Sequence, residues 1–137
     1  MGKALGIDYG TKRTGIAITD AMQIIASGLT TVATNTLDDF IANLVQKESI
    51  ECFVVGDPKN LDGTATDSTG HVNGFVKRMK QIYPSIPIHQ IDERFTSKIA
   101  KQSILASGVK KKVRQNKALV DQVSATIILQ NYLDYKA

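Results

Sequence analysis

The first two apolar segments of the chain are separated by only four residues, and this spacing restricts the fold more than any other feature. Residues 3–9 and 14–19 both have the composition and alternation of β-strands, and residues 10–13 connect them. So short a connection can join antiparallel strands, but it cannot hold the helix that parallel neighbours require. The chain therefore predicts a β-hairpin at its start and excludes a purely parallel sheet.

The rest of the chain alternates between helical and extended patterns. Further strands are predicted over 27–33, 51–56 and 86–92. Four helices are predicted: one from Thr36 as N-cap, a second that follows the loop 58–63, a third from 96 or 97 to 107, and a last one over about 117–133. The apolar residues expected on the second helix are Val72, Phe75, Val76, Met79 and Ile82. A hairpin followed by alternating strands and helices predicts an α/β fold with a mixed sheet that carries helices on its faces.

Length and composition are those of an ordinary globular domain. With 137 residues, of which 42% are hydrophobic, we expect a single domain over residues 1–137. No apolar run approaches the ~20 residues of a membrane span, and the start has no signal-peptide pattern. These features predict a cytoplasmic protein without a membrane partner. The lone cysteine, Cys52, lies beside Phe53 and is predicted to be a buried structural thiol.

The positive charge is concentrated in one segment. The net charge is +4, yet residues 94–117 contain eight lysines and arginines and no acidic residue, which leaves −4 for the remainder. Such a segment is typical of a surface that binds nucleic-acid phosphates. A solvated loop and helix face is the alternative interpretation.

The acidic residues fall at the ends of predicted elements. Asp8 ends the first strand, Asp92 and Glu93 end the last strand, and Asp121 lies in the first turns of the final helix. If the first strand is central, these acids can converge at one edge of the sheet. The positions three and four residues after Asp121 are the small Ser124 and Ala125, so this helix can approach the sheet closely.

Each acid also has a simpler interpretation when it is taken alone. Asp8 could cap a turn, Asp92 or Glu93 could solvate a strand end, and Asp121 could interact with the helix dipole. Together they favour a shared site, because clustered carboxylates need a cation in order to coexist ionised. Oxygen ligands of this kind suit Mg²⁺ or Mn²⁺.

Other catalytic chemistries have little support. The chain has no cluster of histidines and cysteines for zinc, no G-x-S-x-G motif, no Walker A lysine motif and no G-x-G-x-x-G motif. His89 alternates with its neighbours as an ordinary strand residue.

Four sequence blocks, taken in order, resemble the YqgF/RuvX family of Holliday-junction resolvases and pre-16S rRNA nucleases. They are "GIDYGTKRTGIA" (6–17), "VVGDPKNLDGT" (54–64), "DERFTS" (92–97) and "KALVDQVSATIILQNYL" (117–133). The resemblance covers essentially the whole chain. It implies a ribonuclease H-like fold whose five-stranded mixed sheet has the order 3-2-1-4-5, with the first three strands antiparallel. The second block departs from the family's usual Gly-Leu-Pro at Asp57, which we interpret as a harmless loop residue rather than an additional acid at the rim of the site.

The resemblance also implies a metal-dependent phosphodiesterase site at Asp8, the Asp92-Glu93 block and Asp121. We expect Asp8, Glu93 and Asp121 to be the catalytic residues and to hold Mg²⁺ or Mn²⁺. Since neighbours in a strand point to opposite faces, Asp92 is a further ligand candidate behind Glu93. The residues predicted to bind nucleic acid are Lys12, Arg13, Lys59, Asn60, Arg94, Lys110, Lys111, Lys112, Arg114 and Lys117.

The predicted function is that of a metal-dependent nuclease acting on structured nucleic acid. We expect it to process the 5′ end of pre-16S rRNA in ribosome biogenesis. The alternatives are a Holliday junction resolvase in DNA recombination and repair, and a non-catalytic nucleic-acid-binding assembly factor. An ATP-binding protein of the actin and sugar-kinase type is disfavoured, since 137 residues leave no room for a second lobe. The sequence leaves open whether the protein is a monomer or a homodimer.

Overall fold

The computed structural model describes residues 2–57, 67–92 and 117–136, excepting the side chains of 57, 67–69, 92, 117–121, 135 and 136. The strands are β1 (Lys3–Asp8), β2 (Arg13–Thr19), β3 (Ala26–Ala33), β4 (Ile50–Asp57) and β5 (Ile88–Asp92). The helices are α1 (Leu37–Lys47), α2 (Asp67–Ile82) and α3 (Lys117–Lys136), and a 3-10 turn, Thr34–Thr36, precedes α1. The helix predicted from 96 or 97 to 107 lies outside the described residues.

The five strands form one mixed sheet in the order β3-β2-β1-β4-β5, as the family resemblance implies. The hairpin predicted at the start of the chain is confirmed, because β1 pairs antiparallel with β2. β2 pairs antiparallel with β3, whereas β1 and β4, and β4 and β5, are parallel pairs. β1 is therefore the central strand, and the carboxyl ends of β1, β4 and β5 share one edge of the sheet.

The helices α1 and α2 cover one face of the sheet. Leu5 and Ile7 of β1 are fully buried there against these helices, together with Phe53 and Val55 of β4. The apolar residues predicted for α2 are buried in this core, with the exception of Ile82, which is 50% exposed. Ile82 is the last residue of α2. The predicted apolar face therefore includes one residue, at the end of the helix, that does not pack on the sheet.

The helix α3 covers the opposite face and packs very closely on it. Its apolar side contacts small residues of the sheet, including Ala4 and Ala17, and Cys52 is buried in the same core as predicted. At Gly6 a Cβ atom would lie 2.8 Å from the Cβ of Leu129 and 3.0 Å from the carbonyl oxygen of Ala125. Only glycine allows β1 and α3 to come this close without displacement.

The start of α1 differs from the prediction in its capping. The helix begins at Leu37, but Thr36 makes no side-chain capping bond. The Thr36 hydroxyl instead donates to the carbonyl oxygen of Ala33, at 2.8 Å, within the 3-10 turn. Thr36 is therefore the N-cap residue by position, as predicted, but its hydroxyl group does not cap the helix because the preceding turn takes it up.

The connection between β2 and β3 lies at the end of the sheet opposite to the carboxyl ends of β1 and β4. The backbone N–H groups of Met22, Ile24 and Ile25 all donate to the carboxylate of Asp20. These bonds, those from Ile25 and Ile24 most of all, lower the pKa of Asp20 from its ordinary value of 3.8. The carboxylate therefore holds this loop together in its ionised form.

Within the described ranges, none of the helices combines the length and the apolar character needed to cross a bilayer.

Candidate active site

Three parallel strands end at the same edge of the sheet, and each ends in an aspartate. The last residues of β1, β4 and β5 are Asp8, Asp57 and Asp92. Asp57 and Asp92 are partners in the register between β4 and β5. Because the register between β1 and β4 aligns Ile7 with Val55, Asp8 lies at nearly the same level of the sheet.

The side of the sheet on which Asp8 lies follows from its neighbours. Ile7 and Tyr9 pack into the core beneath α1 and α2, and the Tyr9 ring stacks on Phe75 of α2 with centroids 4.7 Å apart. Gly6 faces α3. Since successive strand residues alternate between faces, the half-buried Asp8 belongs to the α3 side. Its cross-strand partner is Gly15, which has no side chain to cover it.

The direction of α3 brings its first half to this edge. Near its end, the Tyr132 hydroxyl lies 3.9 Å from the sulfur of Cys52, which is near the start of β4. The Ala125 carbonyl lies instead against Gly6, near the end of β1. The helix therefore runs antiparallel to these strands, and position 121, one turn before Ala125, lies toward the Asp8 end. The closely packed small face predicted from Ser124 and Ala125 is confirmed, because both residues are buried.

The structure thus brings positions 8, 92 and 121 to one end of the sheet. Of the predicted metal ligands, Asp8 is the one whose side chain the structure describes. Glu93 lies outside the described residues, as do the predicted nucleic-acid-binding residues Lys59, Asn60, Arg94, Lys110, Lys111, Lys112 and Arg114. Lys117 is the first residue of α3.

The turn between β1 and β2 lies beside Asp8 at the same edge. Lys12 is exposed and Arg13, which begins β2, is half-buried. A Cβ atom at Gly10 would collide with the carbonyl oxygen of Arg13, so the turn requires glycine there. Both basic residues therefore lie in or next to the turn that follows the carboxylate at the end of β1.

Thr34 is a residue of this region that the sequence analysis missed. It follows β3, and its hydroxyl donates to the carbonyl oxygen of Gly10 at 2.6 Å. Its backbone N–H donates to the carbonyl oxygen of Lys12 at 3.0 Å. No local signal marks a threonine that bonds to residues more than twenty positions away, so only the folded structure reveals this contact.

The donor groups at this edge fit a hard divalent cation. The positions that converge there carry carboxylates, whereas Cys52 lies near the other end of β4 and His89 stacks on Tyr132 with ring centroids 4.9 Å apart. Among the described side chains no three potential ligands come together, since those of positions 92 and 121 are not among them. Oxygen donors of this type suit Mg²⁺ or Mn²⁺ rather than zinc.

Tyr132 and Cys52 form a separate, partly buried contact. Burial, followed by the neighbouring Cys52, raises the pKa of Tyr132 to about 12. The phenol therefore stays protonated at neutral pH. This contact packs α3 on β4 at the end of the sheet away from Asp8.

Comparison with known proteins decides the family. Residues 2–135 match the model of a family described as "RuvX: Holliday junction resolvase". The chain belongs to the RuvX family. A relative from Flavobacterium johnsoniae is 53% identical over 136 residues, and one from Bacteroides fragilis is 52% identical. In both cases the alignment covers 99% of this chain and 99% of the relative, and both RuvX relatives are named "Putative pre-16S rRNA nuclease".

Solved structures support the fold of this RuvX chain. Thermus thermophilus RuvC, determined in complex with a Holliday junction substrate, has a TM-score of 0.59 at 13% identity. The similarity covers 100% of this chain and 97% of that protein. The fowlpox virus Holliday junction resolvase has a TM-score of 0.57 at 11% identity, with coverage of 98% and 99%. The ribonuclease H-like fold that the sequence resemblance implies is therefore confirmed.

Proposed function

We propose that this RuvX protein is a Mg²⁺- or Mn²⁺-dependent nuclease that hydrolyses phosphodiester bonds at the 5′ end of pre-16S rRNA in the cytoplasm. The observation that carries this proposal is the convergence of positions 8, 92 and 121 at one edge of the sheet, with Asp8 on the α3 side. The names of relatives more than 50% identical over nearly the whole chain favour RNA as the substrate. A single nuclease domain, residues 1–137, carries the activity.

The proposed ligands of the metal ions are Asp8, Glu93 and Asp121, with Asp92 as a further candidate. These carboxylates would hold the ions, and the chemistry that Mg²⁺ or Mn²⁺ would supply there is activation of a water molecule and stabilisation of the departing 3′-oxygen. The chain would then need no covalent nucleophile of its own.

The alternation along β5 supports Glu93 over Asp92 as the direct ligand. Ile88 packs into the core beneath α1 and α2, and Ile91 packs into the core beneath α3. Because strand residues alternate between faces, we propose that Glu93 rather than Asp92 is the ligand on the side of Asp8. We also propose that Asp57 has a harmless role and is not an additional acid at the rim of the site.

We propose that Lys12 and Arg13 bind the phosphate backbone next to the scissile bond. Charged side chains of this kind position a strand without reading its sequence. The basic residues of 94–117, with Lys59 and Asn60, extend this surface along the substrate. The absence of any acidic residue from 94–117 supports their role.

The salt dependence of binding tests this basic surface. If about five cations of the chain neutralise phosphates, log K should fall with log salt at a slope near −4 or −5. The measurement is a titration of a structured RNA at several KCl concentrations, with Ca²⁺ in place of Mg²⁺ to prevent cleavage. An affinity that does not respond to salt would exclude this role of the basic residues.

A direct cleavage comparison tests the proposed function. Purified protein is incubated with a precursor RNA that spans the 5′ end of 16S rRNA and, in parallel, with a four-way DNA junction. Each substrate is tested with Mg²⁺, with Mn²⁺ and with EDTA. We expect cleavage of the RNA with either metal and none with EDTA, because the carboxylate site cannot act without its cations.

The family description favours one alternative, the resolution of Holliday junctions. That activity requires two coordinated cuts, and hence two copies of the site in a homodimer, whereas trimming an RNA end requires one. Cleavage of the junction in preference to the RNA, by a dimeric protein, would support the alternative. Binding of RNA without cleavage under any metal condition would instead indicate a non-catalytic assembly factor.

A further inference from the structure

Thr34 makes three hydrogen bonds that tie the turn between β1 and β2 to the end of β3. Its hydroxyl donates to the carbonyl oxygen of Gly10 at 2.6 Å, and its N–H donates to the carbonyl oxygen of Lys12 at 3.0 Å. Its hydroxyl oxygen also lies 2.9 Å from that of Thr14. A residue twenty or more positions from the turn therefore holds it at both ends.

The protons of this network can be assigned. A threonine hydroxyl has one proton, and that of Thr34 is used in the bond to Gly10. The hydroxyl of Thr14, which is fully buried, must then donate to Thr34. The Thr34 hydroxyl thus donates to the Gly10 carbonyl and accepts from the Thr14 hydroxyl. Loss of the Thr34 hydroxyl removes this hydrogen-bond partner from the half-buried Gly10 and the buried Thr14.

The two carbonyl bonds also determine which way the turn faces. In a trans peptide the C=O of one residue and the N–H of the next point in opposite directions. Because the Gly10 carbonyl points to Thr34, the N–H of Thr11 points away from it, on the exposed tip of the turn. The side chain of Lys12 extends from the same exposed tip.

We propose that Thr34 is a positioning residue, which holds the Thr11 N–H and the Lys12 ammonium group in the orientation that binds a substrate phosphate beside Asp8. This inference rests on the proposed function, since it assigns the phosphate to the nuclease substrate. Thr34 itself does not contact the substrate. Its contribution is to remove the freedom of a glycine-containing turn before the substrate arrives.

The test compares Thr34→Val with Thr34→Ser. Valine keeps the shape of threonine but loses the hydroxyl group, whereas serine keeps the hydroxyl group. We expect Thr34→Val to raise the KM for precursor RNA by about three- to tenfold, the loss associated with one or two hydrogen bonds, and to change kcat less than about twofold. Thr34→Ser should restore a KM near that of the wild type.

Thr36→Val is the matched control. Thr36 is two residues away, is exposed, and also donates its hydroxyl to a backbone carbonyl, that of Ala33. Its bond does not involve the turn between β1 and β2. The same chemical deletion there should leave both KM and kcat unchanged.

A double-mutant cycle separates positioning from general stability. Because Thr34 acts in part through Lys12, Thr34→Val should have a smaller effect in a Lys12→Ala background than in the wild type. Dissociation constants for the RNA, measured with Ca²⁺ in the absence of cleavage, provide the cycle. Additive effects of the two substitutions, or an unchanged KM and dissociation constant in Thr34→Val, would overturn the inference.

Failure of the nuclease proposal would look different. In that case the wild type would bind RNA but would not cleave it with Mg²⁺ or Mn²⁺, and the binding cycle would still decide the role of Thr34. Conversely, the wild type could show metal-dependent cleavage while neither Thr34→Val nor Lys12→Ala changes the dissociation constant for RNA. That result would reject the role of Thr34 and leave the nuclease proposal intact.

Discussion

Asp8→Asn is expected to reduce metal-dependent cleavage by at least on the order of a thousandfold while leaving the fold intact. Asparagine has nearly the shape of aspartate, but it lacks the negative charge that a divalent cation requires of its central ligand. The substitution keeps the size of the side chain, and the cross-strand partner of Asp8 is Gly15. We expect the loss to appear in kcat, and thermal unfolding measures any change in stability that accompanies it.

The control for this variant is Asp39→Asn. Asp39 is an exposed aspartate in the first turn of α1, which packs on the face of the sheet opposite to that of Asp8. Single-turnover cleavage of precursor RNA gives the rate, and circular dichroism with thermal unfolding verifies the fold. If Asp8→Asn cleaves at the wild-type rate, Asp8 is not a metal ligand and the proposed site is wrong.

Asp121→Asn extends the same test to α3, and Asp134→Asn on the same helix is its control. Asp134 is exposed near the other end of α3, where it accepts a hydrogen bond from Gln130. We expect a large loss of cleavage for position 121 and none for position 134. Equal activity of the two variants would show that α3 does not contribute a metal ligand to the site.

The second large effect is expected for Gly6→Ala, which should destabilise the protein by about 1–3 kcal/mol. The added methyl group would lie 2.8 Å from the Cβ of Leu129 and 3.0 Å from the carbonyl oxygen of Ala125. One of these contacts is backbone, so no change of rotamer relieves it. The helix α3 must move away from β1, and position 121 moves with it.

Gly74→Ala provides a control in which the free energy of unfolding is expected to rise instead of fall. Gly74 lies inside α2, and a Cβ atom there would have no neighbour within 4 Å. Alanine is the better helix former, so this variant should gain about 0.5–1 kcal/mol. Denaturant unfolding at constant m-value measures both free energies. An unchanged midpoint in Gly6→Ala would mean that α3 can withdraw from β1 without cost.

Gly6→Ala should also reduce cleavage, because the stability and the proposed site depend on the same contact. Gly74→Ala should leave cleavage at the wild-type level. A destabilised but fully active Gly6→Ala protein would indicate that the position of α3 is not important for the chemistry.

Local patterns predicted the elements well, because each pattern depends on nearby residues. The short connection between 3–9 and 14–19 required the hairpin, and the apolar spacing on α2 identified four of its five predicted core residues. The small residues after position 121 predicted the close approach of α3, which burial of Ser124 and Ala125 confirms. The order of the five strands came from the family resemblance rather than from these patterns.

Contacts between distant residues could not be predicted in this way. Thr36 looks like an N-cap, yet a 3-10 turn uses its hydroxyl, and nothing near Thr34 indicates its bonds to the preceding hairpin. In the sequence, Gly28 likewise has the pattern of an ordinary strand residue, although a Cβ atom there would collide with the side chain of Gln122. Such contacts depend on which elements the fold brings together.

The small residues beneath α3 have a consequence for synthesis of the chain. Because α3 comes last among the described elements, the face formed by residues such as Ala4, Gly6 and Ala17 stays open until α3 has left the ribosome and docked. Alanine and glycine expose far less apolar area than leucine or isoleucine would at these positions. Before α3 docks, the growing chain therefore has little tendency to self-associate through this face.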